Sequence, residues 1–142
     1  MMKSKPGFSL IELMAVIVIL GILATIVAVN VAPFLQRANV EKVRADISQL
    51  EKAMELYKFN ELNYPSTDQG IDALVSPPSD LKRPYLYPKD GYIAKLPMDP
   101  WGNPYLYLHP SVHGKNFGIF TYGADGIEGG VGEDADIGNW ME

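Results

Sequence analysis

The chain has 142 residues, 47% of them hydrophobic, with 12 Lys and Arg against 17 Asp and Glu for a net charge of -5 at pH 7. That balance argues against a nucleic-acid backbone as the main partner. The absence of cysteine excludes disulfides, thiol nucleophiles and cysteine-based zinc or iron-sulfur sites. Setting aside the apolar segment near the start leaves about 110 residues, enough for one small domain with a modest core.

Residues 7–31, GFSLIELMAVIVILGILATIVAVNV, contain one charged residue, Glu12, followed by a run at 13–29 with no charge and a single hydroxyl, Thr25. At about 1.5 Å per residue this run makes about 26 Å of helix, and residues 8–11 extend it to the length of a bilayer span. Lys3 and Lys5 precede it, and no acidic residue lies before Glu12. The positive-inside bias therefore keeps residues 1–7 cytoplasmic and places the bulk of the chain across the membrane. A conventional secretory signal would end in a small-residue cleavage site, of which Asn30-Val31-Ala32 is a poor version. Pro33 lacks an amide hydrogen and crowds the preceding turn, which predicts a kink or local melting just before it.

Beyond Pro33 the pattern turns amphipathic. Val43, Ile47, Leu50, Met54 and Tyr57 line one helix face, while Glu41, Lys42, Arg44, Glu51, Lys52, Glu55 and Lys58 lie largely elsewhere. Lys42 with Asp46, and Glu55 with Lys58, have helix-neighbour spacing worth a few tenths of a kcal/mol each. The stripe is too short for a coiled coil and reads as a face packed on its own domain. If the membrane and amphipathic halves form one helix, residues 8–59 extend about 78 Å.

Asn63-Tyr64-Pro65 ends that helix, because proline disfavours helix at the preceding residue. Ser66 or Thr67 caps a short helix reaching Val75, with Asp68 near its amino end, and Ser76-Pro77-Pro78-Ser79 stops it. Residues 77–104 hold seven prolines and read as an ordered, irregular loop. Its aromatics Tyr85, Tyr87, Tyr92 and Trp101 are expected to pack on the domain. Within it, PMDPWGNPY at 97–105 is a chain of tight turns: Asp99 and Asn103 bond nearby amides, Gly102 permits a positive φ, and Trp101 is anchored. Residues 105–108 and 117–122 read as strands of a small antiparallel sheet, joined through 109–116.

Residues 122–140 contain five carboxylates and six glycines. Such like charges on flexible chain repel and fray. A hard cation would reverse that, since calcium takes about six to eight oxygens and glycines let carbonyls turn inward. The register is not that of an EF-hand. Spacing alone leaves both readings open, a solvated acidic loop and a metal site. Enzymatic readings fail on chemistry. His109 and His113 are four apart, but Pro110 and Gly114 oppose a helix there and no glutamate completes a zinc motif. Ser111 is not in a nucleophile elbow, Asp99 has no matched second group, and there is no glycine-rich phosphate loop.

Lys5-Pro6-Gly7-Phe8-Ser9-Leu10-Ile11-Glu12 resembles the processing site of class III signal peptides in type IV pilins and type II secretion pseudopilins. Residues 91–105, GYIAKLPMDPWGNPY, resemble the LPxDPWGxPY signature of the major pseudopilins of that secretion system. The resemblance implies an α+β, type IV pilin-like fold: a long N-terminal helix packed on a small antiparallel sheet, with an irregular loop and a calcium-binding C-terminal loop. Its parts would be a leader at 1–7, a transmembrane and polymerisation helix at 8–31, an amphipathic continuation at 32–62 and a periplasmic globular part at 63–142. It implies cleavage by prepilin peptidase between Gly7 and Phe8, with methylation of the new Phe8 amino terminus. Glu12, then the fifth mature residue, would pair with the Phe8 amino terminus of an adjacent subunit. Gly21 would begin a stretch that can unwind inside the filament, although ordinary membrane-helix composition explains it equally. The family's frequent proline falls on Val29 here, and this chain has Pro33 instead.

The same resemblance implies one structural calcium, held by Asp125 of GADG, Asp134 and Asp136 of DADIG and the Tyr122 backbone carbonyl, with Glu128 and Glu133 as secondary candidates. It implies a non-catalytic subunit of the bacterial inner membrane that polymerises into a periplasmic fibre driving export of folded proteins. Its partners would be its own copies, minor pseudopilins, prepilin peptidase, the inner-membrane assembly platform and, before assembly, membrane lipid, with no nucleic acid. A pilin of an adhesive or motility pilus, or an anchored binding domain that never polymerises, are the alternatives.

Overall fold

In the computed structural model, which describes residues 6–141, helix α1 (Leu10–Glu61) is a single unbroken element. Lys3 and Lys5, and with them most of the leader at 1–7, lie outside the described residues. The chain divides into two units, Met1–Arg37 and Ala38–Glu142, and α1 contributes to each.

In the first unit the residues from Pro6 to Leu35 are all exposed. The helix runs through Pro33, which corrects the expected local melting. Proline removes one i to i−4 bond, the one that would end on the Val29 carbonyl, and the bonds on either side suffice to keep the turn helical. Gly21 is helical as well, and its carbonyl accepts the Thr25 hydroxyl at 2.9 Å. The polar Asn30 makes the same local bond to the Ile26 carbonyl.

In the second unit the predicted stripe is the core. Val43, Ile47, Leu50, Met54 and Tyr57 are buried, with Ala53 filling the same face. They meet Ile71, Leu74, Ile93, Tyr105, Tyr107, Phe117 and Ile119 in one cluster. Lys42 pairs with Asp46 as its spacing suggests. Glu55 does not pair with Lys58: its carboxylate accepts the Tyr64 hydroxyl at 2.6 Å, and the Lys58 ammonium sits 4.6 Å from the centre of the Tyr64 ring. Both charges are better used on a fixed aromatic than on each other.

The expected helix at residues 66–75 is reduced to a 3-10 turn, Ile71–Leu74. Ser66 and Gln69 do form a reciprocal cap, each side chain bonding the other's amide, at 2.8 and 3.2 Å. Gly70 then takes φ +62 and breaks the run before a full α-turn can build. The proline-rich loop contains only a second 3-10 turn, Pro84–Leu86, and a bridge between Met98 and Pro104. Tyr87, Tyr92 and Trp101 pack against the core, whereas Tyr85 is 79% exposed, against expectation.

The sheet is antiparallel in the order β1 (Leu106–Leu108), β2 (Gly118–Thr121), β3 (Ile137–Gly138). Tyr107 opposes Ile119, and Phe120 opposes Gly138. β2 is central and all four of its residues are buried, as its β-branched and aromatic content favours. β3 was not expected, because two residues inside an acidic, glycine-rich stretch show no alternation.

Leu50 is fully buried, so Leu50→Ala should cost about 2–5 kcal/mol in urea unfolding of the intact chain in detergent. Burial also pushes the phenols of Tyr57, Tyr105 and Tyr107 up, Tyr57 to about 12. Above pH of about 10 the unfolded chain releases these protons while the folded chain keeps them. Stability should therefore be unaffected by these groups below pH of about 10 and fall as pH rises beyond it. A urea midpoint that does not move between pH of about 9 and about 11 would contradict this.

Candidate functional site

Three local structures carry the residues singled out above. The first is the start of α1. Residues 6–9 have no regular structure, Gly7 is exposed, and Phe8 is 87% exposed. Ser9 and Glu12 form a capping box: the Glu12 carboxylate accepts the Ser9 amide at 2.8 Å, and the Ser9 hydroxyl accepts the Glu12 amide at 3.3 Å. A negative side chain here also suits the positive pole of the helix dipole. The carboxylate is thus held on the amide of the residue that follows Phe8, at the head of an apolar helix. The Ser-x-x-Glu spacing ahead of an apolar run is the sequence signal for this box.

The second is the turn at residues 97–104. Asp99 is 4% exposed and spends its whole carboxylate on neighbours. One oxygen accepts the Trp101 and Asn103 amides at 3.0 and 2.7 Å, and the other accepts the Thr121 hydroxyl at 2.6 Å. Gly102 takes φ +88, as the turn requires. Lys42 of α1 donates to the Met98 carbonyl at 2.7 Å, and Asp46 accepts the Tyr105 hydroxyl at 2.8 Å. The turn is therefore tied both to α1 and to β2.

The third is the acidic loop, whose base rests on that turn. Thr121 accepts the Gly123 amide at 3.2 Å while donating to Asp99, and the Asn103 side chain donates to the Gly123 carbonyl at 3.2 Å. The far side of the loop returns to the same point, where Ala124 donates its amide to the Glu133 carbonyl at 2.8 Å. Gly123 has φ +75, and a Cβ there would lie 2.6 Å from the Glu133 oxygen, so no other residue fits. Trp140 closes the end, stacked on His113 with ring centres 3.8 Å apart and packed against Phe120.

All side-chain donors in this loop are oxygens, the chemistry of a hard cation such as calcium. Their placement serves amides: Asp136 accepts the Gly129 amide through both oxygens at 3.0 Å, and Asp125 accepts the Ile127 amide at 3.1 Å. Asp134 lies beside Gly130, and Tyr122 follows β2 at the loop's entrance. Among the described residues no group of three or more His, Cys, Asp or Glu side chains is gathered for a metal ion. The loop thus fits the ion in donor type and in its folded-back backbone, with Asp125, Asp134 and Asp136 not brought to one point.

Residues 30–140 match the family described as type II secretion system protein G, and residues 2–28 match the prokaryotic N-terminal methylation motif. The type II secretion system core protein G of Pseudomonas aeruginosa is 49% identical over 138 residues, covering 97% of this chain and 96% of that one. The chain belongs to the protein G family. The Vibrio cholerae core protein G is likewise 49% identical, over 98% of this chain and 94% of its own, and that of Escherichia coli K12 is 41% identical over 96% and 91%. The crystal structure of the major pseudopilin from the type 2 secretion system of enterohaemorrhagic E. coli matches with TM-score 0.68 and 40% identity. That match covers 80% of this chain and 96% of that one. The pseudopilin fold follows: a long helix on a three-stranded antiparallel sheet. The protein G family is structural, so the chain is a secretion-system component and not an enzyme, and the adhesive-pilin and binding-domain alternatives fall away.

Thr121→Val keeps the shape of this protein G core but strips Asp99 and the Gly123 amide of a partner. It should cost about 1–3 kcal/mol and speed hydrogen exchange at the base of the acidic loop, while Thr121→Ser should restore both.

Proposed function

We propose that this chain is the major pseudopilin of a type II secretion system, anchored in the bacterial inner membrane with its second unit in the periplasm, and withdrawn into a fibre whose growth pushes folded proteins outward. The observation that carries the reading is the bare apolar half of α1. A window of it has mean hydropathy 2.8 and none of it is buried within the chain. Such a surface requires lipid or other protein to cover it. Lipid covers it before assembly, and identical helices cover it afterwards. Minor pseudopilins and the inner-membrane platform are the partners this role requires.

Prepilin peptidase cutting between Gly7 and Phe8 would free an amino group for methylation at the residue beside the capping box. In the assembled fibre Glu12 exchanges the Ser9 amide for the Phe8 amino terminus of a neighbour, since a carboxylate in an apolar setting is stabilised far more by a full positive charge than by an amide. Glu12→Ala should abolish fibre formation on overexpression and leave near-ultraviolet circular dichroism unchanged, because the core lies in the second unit. Normal fibre yield from that variant would overturn the role of Glu12.

Calcium belongs to the same reading. Asp125, Asp134, Asp136 and the Tyr122 carbonyl would hold it, with Glu128 and Glu133 close in sequence. Bound, the ion neutralises the loop's mutual repulsion and supplies the staple that a cysteine-free domain lacks. This chain's own contribution is the platform: Asp99, Thr121 and Asn103 fix the loop's entrance beside its return strand. Calcium about a hundredfold above its dissociation constant should raise the melting temperature by roughly 10 °C over excess chelator. Asp134→Ala should erase most of that difference, and equal melting temperatures in wild type would refute the site.

A further inference from the structure

Glu61 is the last residue of α1 and is 4% exposed. Its Oε2 accepts the Arg83 amide at 3.2 Å, and its Oε1 is buried without a hydrogen-bond partner. Two things work against this placement. A buried carboxylate with an idle oxygen is strongly disfavoured, and the carboxyl end of a helix carries the negative pole of its dipole. Burial first, and then the nearby Glu61, push the Tyr57 phenol up to about 12. Among the described residues no cation answers the Glu61 carboxylate. Among the described residues the one ion pair is between Lys42 and Asp46, and Lys82 lines the same space without pairing.

That space is a cavity of about 340 Å³, and its lining is rich in acceptors. Asp80 is held at the exposed rim by the Gln69 amide at 2.7 Å. His109 Nδ1 lies 2.9 Å from the Asn116 carbonyl, which can only accept. In the neutral ring Nδ1 therefore carries the proton and Nε2 is an acceptor. Tyr57 and Tyr64 add aromatic surface of the kind that attracts cations.

We propose that this cavity is a binding site for an organic cation, an ammonium or guanidinium group held by Glu61 with Asp80 and His109. Both carboxylates and the imidazole lack the hydrogens such a group brings, and it cancels the buried charge. The group is carried either by a small free amine or by a Lys or Arg of a second chain. None of these residues lies in the apolar half of α1 or in the acidic loop, so the site is distinct from the apolar helix surface and from the residues assigned to calcium.

The test is calorimetric titration of the intact chain in detergent micelles with agmatine, and with butylurea as an uncharged analogue. Saturable binding of agmatine alone is expected, weakened tenfold or more in Glu61→Gln, a variant of the same shape. If Glu61→Gln does not fold, Asp80→Asn at the exposed rim should still weaken binding roughly threefold. Agmatine that also suppresses self-association in light scattering identifies the source as a neighbouring chain's side chain. Binding without that effect identifies a free amine, and either result supports the site. No saturable binding, equal binding of butylurea, or full affinity in both variants means that the cavity holds water only and overturns the proposal.

Discussion

The apolar first half of α1 has no cover among the described residues, and the account of the protein's function depends on where that surface goes. A soluble domain would bury such a segment, whereas here it stands bare over the length of a bilayer span. Lipid and a bundle of identical helices are chemically equivalent covers. Moving between them therefore exchanges one apolar environment for another at little cost in desolvation, and packing and polar contacts decide the direction. That leaves the choice to the charged group at the head of the helix, Glu12, whose carboxylate is occupied by a mere amide in the isolated chain.

The second unit solves a different problem, holding together about a hundred residues with short strands, a long irregular loop and no disulfide. It does so by stacking one helix stripe on a central strand and then routing hydrogen bonds through Asp99. That residue joins the proline-rich turn to β2, and through Thr121 and Gly123 to the acidic loop. A buried carboxylate accepting three donors is worth more as an organiser than as a charge. The loop is thereby fixed at its base, while nearby amides are the partners of Asp125 and Asp136 beyond it.

How much of this was legible in the sequence depended on range. The stripe from Val43 to Tyr57 follows helical period, and the turn chemistry of Asp99, Gly102 and Asn103 is local, so both were readable. The capping boxes at Ser9 with Glu12 and at Ser66 with Gln69 were also local and legible in principle, as Ser-x-x-Glu and Ser-x-x-Gln. β3 was not, since Ile137 and Gly138 become a strand only because β2 has a free edge beside them. The burial of Glu61 was equally hidden, for it depends on a loop more than twenty residues away folding over the helix end. Asp125, Asp134 and Asp136 were found by motif, while their bonds to nearby amides depend on how the glycines fold the loop.

The central claim is that the apolar half of α1 is the polymerisation surface. It is tested most directly by a side-chain-resolution helical reconstruction of the fibre formed by this chain. The account predicts residues 8–35 packed against one another along the fibre axis, with the Glu12 carboxylate within hydrogen-bond distance of a neighbour's Phe8 amino group. A fibre held together by contacts among residues 38–141, with the apolar helices outside its centre, would contradict it.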